Sequence, residues 1–481
     1  MMPKLLSFVP ALIFAFALIL NESVVAQNFT SLYSFTNSIN GADPLGGVIQ
    51  SGNVLYGATL YGGNGVGNIF KINIDGTQST NLYSFTPVSS TFPAPITNAD
   101  GTLPIGMLLL SSNVLYGVAA DGGSLGGGTI FKIGVGNGGL YVLHWFSNSD
   151  GAQPRGGLVL SGDTLFGTTR NGGKSQWGTV FSIRTDGTGF TNLYNFTNGT
   201  DGGQPQAGLL LSSNTLYGTT YSGGDNALNN PHSGGTIFRI GTDGTGFTNL
   251  YSFAGGSDGS SPQSVLILSS NILYGTTTVG GSSGFGTVFG IQTGGSDFTN
   301  IYSFTGGSDG ANPQAGLILW RSTLYGTAAQ GGSYSNGTVF AVNTDGTGFT
   351  NLHSFAAAPN STTRLTNSDG ALPSCGLILS GNNLYGTTAE GGNSGLGTIF
   401  SLSLPAFAPQ LGIMLSSTNI ILTWPTNAIG FTLQSSTNLY APVIWSTISS
   451  VPALVNGQNT VFVNTSTDSN SGKEELFRLS K

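Results

Sequence analysis

Residues 316–355 read GLILWRSTLYGTAAQGGSYSNGTVFAVNTDGTGFTNLHSF. Four short apolar runs stand in this stretch, separated by Gly, Asn, Asp and Ser. Gly316–Leu319, Thr323–Thr327, Gly337–Val342 and Phe349–Phe355 are rich in β-branched and aromatic residues and read as strands a, b, c and d. No helical period runs through any of them.

The same order recurs along the chain. Leu-Tyr-Gly, once Leu-Phe-Gly, centres on Tyr56, Tyr116, Phe166, Tyr217, Tyr274, Tyr325 and Tyr385. The strand-c signature ends at Phe70, Phe131, Phe181, Phe238, Phe289, Phe340 and Phe400, and the strand-d signature at Phe35, Phe85, Phe146, Phe196, Phe253, Phe304 and Phe355. A proline precedes strand a at Pro44, Pro104, Pro154, Pro205, Pro262, Pro313 and Pro373. Four strands per unit of 50 to 60 residues is the pattern of a propeller blade. The phase is offset: Phe29–Phe35 is a lone strand d, and the last unit stops after strand c near Leu402. The expectation is an all-β chain whose residues 29–402 form a seven-bladed β-propeller, the N-terminal strand completing the last blade and leaving no open edge.

The intervals locate a face. Proline to the Leu-Tyr-Gly aromatic is 12 residues in every unit, and strand-c Phe to the next strand-d Phe is 15. Length changes fall only in the b–c and d–a connections: Tyr217 to Phe238 is 21 residues against 14 or 15 elsewhere, and Phe85 to Pro104 and Phe355 to Pro373 are 19 and 18 against 8 or 9. In a four-stranded meander those two connections lie at the same end. Variable loops on a constant scaffold are where binding residues concentrate.

Composition narrows the function classes. The 481 residues hold 77 Gly and only 7% charged residues, with a net charge of −7 and no Lys/Arg cluster, which argues against nucleic acid or an anionic membrane as partner. Lys4, the apolar run Leu5–Leu20 and Val24-Val25-Ala26 read as a signal peptide cleaved after Ala26. Export to an oxidising compartment goes with a single cysteine, Cys375, so no intramolecular disulfide forms. Cys375 takes a column of small residues and reads as buried.

Candidate chemistry is sparse. Asp100, Asp150, Asp201, Asp258, Asp309 and Asp369 each precede Gly just before the repeat proline; six copies favour turn chemistry over a carboxylate ring. Asp75, Asp186, Asp243 and Asp345 are expected in c–d hairpins. His144 and His353 replace the strand-d tyrosine, and His232 stands in the fourth unit's insertion, 226–233. No metal-ligand cluster, calcium loop or nucleophile elbow appears, and no cofactor is expected. The b–c loops differ most at Leu60-Tyr61, Ala120-Asp121, Arg170-Asn171, Tyr221-Ser222, Thr278-Val279, Ala329-Gln330 and Ala389-Glu390, with Trp177, Phe285 and Tyr334 among Gly and Ser. Aromatics beside amides and acids suit saccharide or peptide recognition, and packing on a neighbouring loop is the competing reading, preferred for Phe285. The ligand-binding candidates are Tyr61, Asp121, Arg170, Trp177, Tyr221, Gln330, Tyr334 and Glu390, with no catalytic residue assigned.

The repeated string, clearest in Ser308–Leu319 and Thr344–Leu352, resembles the GloVer (Gloeo/Verruco) tandem-repeat family of secreted bacterial proteins. The resemblance implies export and brings no activity. Residues 403–410 read as a linker. Strand-like runs at 411–415, 419–424, 431–435, 443–448, 460–464 and 476–479 predict a small Ig- or fibronectin-III-like β-sandwich over 411–481, with Trp424 in its core. The expected function is a secreted, monomeric, non-enzymatic binder of a glycan or an extracellular or cell-surface protein. The alternatives are a carbohydrate-active hydrolase or lyase using acids such as Asp121 and Glu390, and a structural surface protein.

Overall fold

The computed structural model describes residues 28–36, 41–89, 96–136, 138–225, 234–358, 365–405, 411–416, 419–425, 431–436, 444–455, 458–464 and 476–480. Residues 1–26, read above as a signal peptide, and the insertion carrying His232 lie outside them. The chain divides after Leu404.

The first unit is all-β and holds seven four-stranded antiparallel sheets, none closed on itself. Sheet 1 takes strands a to d from Val48–Ser51, Val54–Thr59, Asn68–Asn73 and Thr80–Ser84. Sheets 2 to 5 run from Leu109–Ser111 to Tyr141–Trp145, Val159–Ser161 to Thr191–Asn195, Leu210–Ser212 to Thr248–Ser252, and Ile267–Ser269 to Thr299–Ser303. Sheet 6 is Ile318–Trp320, Thr323–Ala328, Thr338–Asn343 and Thr350–Ser354. Sheet 7 takes Ile378–Ser380, Asn383–Thr388 and Thr398–Ser403 from one end of the repeats, and Phe29–Ser34 from the other. Phe29 pairs with Leu402 and Ser34 with Thr398, so the lone N-terminal strand d has its partner.

Strands b and c are the buried pair of each sheet. Their register explains the Leu-Tyr-Gly motif. Gly326 faces Phe340 across the ladder, and a methyl group at Gly326 would come within 2.7 Å of the ring. Glycine is therefore required for the phenylalanine to lie over the sheet. In strand d an extra residue interrupts pairing: Val339 faces His353 and Phe340 faces Asn351, leaving Leu352 as a bulge.

Two contacts repeat at every junction between sheets. The strand-d phenylalanine meets the next sheet's strand-c phenylalanine edge to face, as in Phe304–Phe340 at 5.0 Å and 71°. Phe35–Phe70 repeats this between sheets 7 and 1, at 5.4 Å and 70°. Burying such a ring contributes about 2–3 kcal/mol and its edge-to-face partner about 1 more. The second contact is a backbone hydrogen bond from the residue before each proline to the preceding sheet's b–c loop. Leu103, Gln153, Gln204, Ser261, Asn312 and Leu372 donate to Val66, Gly127, Trp177, Gly234, Phe285 and Asn336, and Asp43 donates to Leu396 of sheet 7. All seven donors have φ between 55° and 57°. Non-glycine residues avoid that region at a cost of about 1 kcal/mol, and a following proline normally enforces extended backbone. The inter-sheet bond offsets that cost, since the same residue's carbonyl also accepts from its own sheet, as Gln153 does from Arg170.

Cys375 is buried; its Sγ lies 3.1 Å from the Pro44 carbonyl of sheet 1, and burial pushes the thiol up to about 11.

Beyond Leu404, Gly412–Ser416, Asn419–Pro425, Gln458–Asn464 and Ala453–Val455 form one sheet, and Ser446–Thr447, Thr432–Ser436 and Leu476–Ser480 another. Ile420, Leu422, Trp424, Leu433 and Val461 share one buried cluster, which places Trp424 in the core. Strand Ala453–Val455 lacks a clear sequence signal because all three of its residues are exposed.

Candidate functional site

The six Asp-Gly carboxylates are occupied by the scaffold. Asp309 accepts from Tyr302 Oη at 3.1 Å, Thr305 N at 2.8 Å and Thr305 Oγ1 at 2.6 Å. Asp100, Asp201 and Asp258 accept equivalent bonds from Tyr83, Tyr194 and Tyr251. Where histidine replaces tyrosine the geometry persists: His144 and His353 approach Asp150 and Asp369 at 3.0 and 2.9 Å. Burial first, then the aspartate beside them, pushes the hydroxyls of Tyr194 and Tyr251 up to about 12, and those of Tyr83 and Tyr302 up as well. These groups lock strand d to the next loop. The c–d aspartates are hairpin residues too: Asp345 accepts from Thr347 N and Oγ1 at 2.9 and 2.7 Å, which holds its carboxyl below the usual range.

At the other end, the b–c loops and d–a segments lie side by side. Ala42–Tyr61, Thr102–Asp121, Ala152–Asn171, Gly203–Ser222, Ser260–Val279, Ala311–Gln330 and Ala371–Glu390 are antiparallel bridges. Each b–c loop is thus strapped to the segment before its own strand a, and the variable pairs sit at the strap. Tyr61 is 43% exposed, Trp177 36% and Tyr334 56%, so these rings are open to a ligand. Phe285 is 41% exposed but packs over Gly306, where a methyl group would lie 2.6 Å from its ring. Among the described residues no three or more His, Cys, Asp or Glu side chains converge as metal ligands.

Only part of the candidate set converges. Gln153 Nε2 donates to Asp121 Oδ1 at 3.1 Å, Asn171 Nδ2 to Gln153 Oε1 at 2.8 Å, and Gln204 Nε2 to Asn171 Oδ1 at 3.5 Å. Arg170 and Arg155 belong to this cluster, with Asp121 as its carboxylate. Trp177 closes the b–c loop that Arg170 opens. No side-chain hydrogen bond joins Tyr61, Tyr221, Gln330, Tyr334 or Glu390 to the cluster among the described residues. Arg155, Gln153 and Gln204 flank repeat prolines and were missed by comparing b–c loops alone. The column after proline, Leu45, Ile105, Arg155, Gln206, Gln263, Gln314 and Ser374, contains one cation, and that departure is readable in the sequence.

A repeat of four-stranded sheets strapped end to end, with a loop face where side chains vary, defines a class of all-β tandem-repeat scaffold. The profile of the Gloeobacter/Verrucomicrobia repeat matches residues 104–317 and 227–440, and the chain belongs to that family. Solved structures that align with this chain include a nidogen/laminin complex (15% identity, 62% of this chain and 89% of that one, TM-score 0.36). An oligogalacturonate lyase in complex with manganese (12%, 80% and 94%, 0.48) and TolB from Acinetobacter baumannii (11%, 58% and 58%, 0.36) are similarly distant. No curated protein matches the sequence. Among the described residues no helix is long and apolar enough to cross a membrane.

Proposed function

We propose that residues 29–402 are a seven-bladed β-propeller, exported after removal of residues 1–26, that residues 411–481 are a small β-sandwich, and that the protein is a non-enzymatic recognition scaffold for saccharides. The ring is supported by inter-sheet contacts that repeat at seven junctions, sheet 7 to sheet 1 included. Recognition falls on the end carrying the b–c and d–a connections, through Tyr61, Asp121, Arg170, Trp177, Tyr221, Gln330, Tyr334 and Glu390.

The observation that carries this reading is the exposure of Trp177 and Tyr334 in loops otherwise made of small and polar residues. An open aromatic face offers a saccharide ring an apolar platform, and the neighbouring amides and acids give its hydroxyls direction. A glycan array probed with the full chain tests the proposal. Binding is expected to weaken about tenfold in Trp177→Ala and in Tyr334→Ala, in line with the ~1–3 kcal/mol carried by a well-packed interface aromatic. Binding that survives both substitutions sinks the site assignment. Cleavage of a polysaccharide that Asp121→Asn abolishes replaces it with an enzymatic one.

A further inference from the structure

Two arginines of sheet 3 stand apart from every other cation of the first unit. Arg155 follows Pro154 at the entry to strand a, Arg170 follows strand b, and the Arg170 N–H bonds to the Gln153 carbonyl at 3.0 Å. Both side chains are half-buried, and the Nε of each is fully enclosed with no hydrogen-bond partner. Neither makes an ion pair within 4.0 Å among the described residues; the pairs found there are His144–Asp150, Arg184–Asp163 and His353–Asp369.

An enclosed guanidinium donor without an acceptor is costly, and two adjacent like charges add to that cost. Burial and the Arg170 charge both depress the Arg155 pKa, while Asp121 opposes them. Asp121 cannot neutralise both groups, and one of its oxygens already takes the Gln153 amide. The cluster therefore keeps a net positive charge in a chain of net charge −7. The scaffold does not require this arrangement. The equivalent positions elsewhere are Leu45 and Leu60, Ile105 and Ala120, Gln206 and Tyr221, Gln263 and Thr278, Gln314 and Ala329, and Ser374 and Ala389. Six sheets build the same strap without a cation.

We infer that Arg155 and Arg170 form an anion subsite that receives the acidic substituent, carboxylate or sulfate, of a saccharide whose ring lies against Trp177. Guanidinium forks match the planar geometry of a carboxylate and the tetrahedral oxygens of a sulfate. Asn171 Nδ2 donates to Gln153 Oε1, and Gln153 Nε2 to Asp121, which fixes both amides beside the subsite. Asp121 sets an exclusion: it repels an anion that approaches from its side and so confines the acidic group to the arginines. This inference rests on the saccharide-binding reading above and narrows the ligand to acidic glycans.

Titration calorimetry of the full chain tests it with three oligosaccharide sets of matched length: uronate-containing, sulfated, and neutral. One or both acidic sets are expected to bind about tenfold or more tightly than the neutral set, with affinity falling as salt rises. Arg155→Met and Arg170→Met should each remove that preference, so that acidic sets bind no more tightly than the neutral set, without lowering the melting temperature. Arg184→Met, which removes an exposed cation at the opposite end of strand c, is the charge control and should bind as the native chain does. The arm that responds, uronate or sulfate, identifies the substituent. Equal binding of neutral and acidic sets, undiminished in both arginine variants, overturns the acidic specificity and leaves saccharide recognition standing. Failure of every saccharide, or binding of poly-glutamate alone, overturns both.

Discussion

The six Asp-Gly carboxylates and the Arg155–Arg170 pair are charged groups at the same end of the sheets, yet they are treated in opposite ways. Asp309 and its counterparts are surrounded by donors from the strand-d side chain and the next backbone amide, sheet after sheet. The arginines occur once and keep enclosed donors that nothing satisfies. Groups that recur with their hydrogen bonds filled hold the scaffold together. On the inference drawn above, a cation pair that departs from the repeat and has no carboxylate within ion-pair distance serves a ligand rather than the scaffold.

Substitutions can press on this contrast. The largest effect is expected at the junctions between sheets: Phe35→Ala and Phe304→Ala should each destabilise the first unit by about 4 kcal/mol in denaturant unfolding. Equality of the two matters, because Phe35 joins sheet 7, which pairs the two ends of the repeats, to sheet 1; a much smaller loss there would argue for an open array. Next comes Asp309→Ala, which strands the Tyr302 hydroxyl and the Thr305 amide and should cost roughly 2–3 kcal/mol without altering ligand binding. Arg155→Met should do the reverse, with stability held or raised, because an enclosed donor without an acceptor is removed, while acidic-glycan affinity is lost. If both variants lose stability alike, the arginines belong to the scaffold and the distinction collapses.

The smallest effect concerns His144, which stacks on Phe190 at 3.8 Å and is held below the ordinary imidazole pKa by burial, with Asp150 opposing. A depressed folded-state pKa means that the unfolded chain binds the proton more readily. The contribution is therefore complete above about pH 6.5 and is lost as pH falls through the folded value. His144→Tyr restores the arrangement of Tyr194 and Asp201 and should flatten the fall in melting temperature on acidification. An unchanged pH profile would show that His144 is not a source of the slope.

Much of the first unit was readable before any coordinate. Strand type, order and count followed from hydrophobic runs of four to seven residues between turn formers, and the partner of Phe29–Ser34 followed from the phase of the repeat. Strand edges shifted by one or two residues: strand a of sheet 6 begins at Ile318 rather than Gly316, because Gly316 precedes the hydrogen-bonded ladder. The candidate site was only half legible. Arg170, Asp121 and Trp177 stood out as departures in the b–c loops, but Arg155 and Gln153 come from the preceding segment. Nothing in sequence spacing says that the two segments are bridged.

The amino-acid sequence determined the repeat, the four strands of each unit, the glycine opposite each strand-c phenylalanine and the end of the sheets where variation is tolerated. These are consequences of local propensity and of side-chain volume within one sheet. Only tertiary structure decided the left-handed backbone of Asp43, Leu103, Gln153, Gln204, Ser261, Asn312 and Leu372, against the ordinary preference of a residue before proline. Each holds that conformation because its N–H finds a carbonyl in the neighbouring sheet, a partner 26 to 37 residues away, or at the other end of the repeats for Asp43, that no local rule supplies. The same strap carries Gln153 to Asp121 and leaves the Nε of two half-buried arginines without an acceptor.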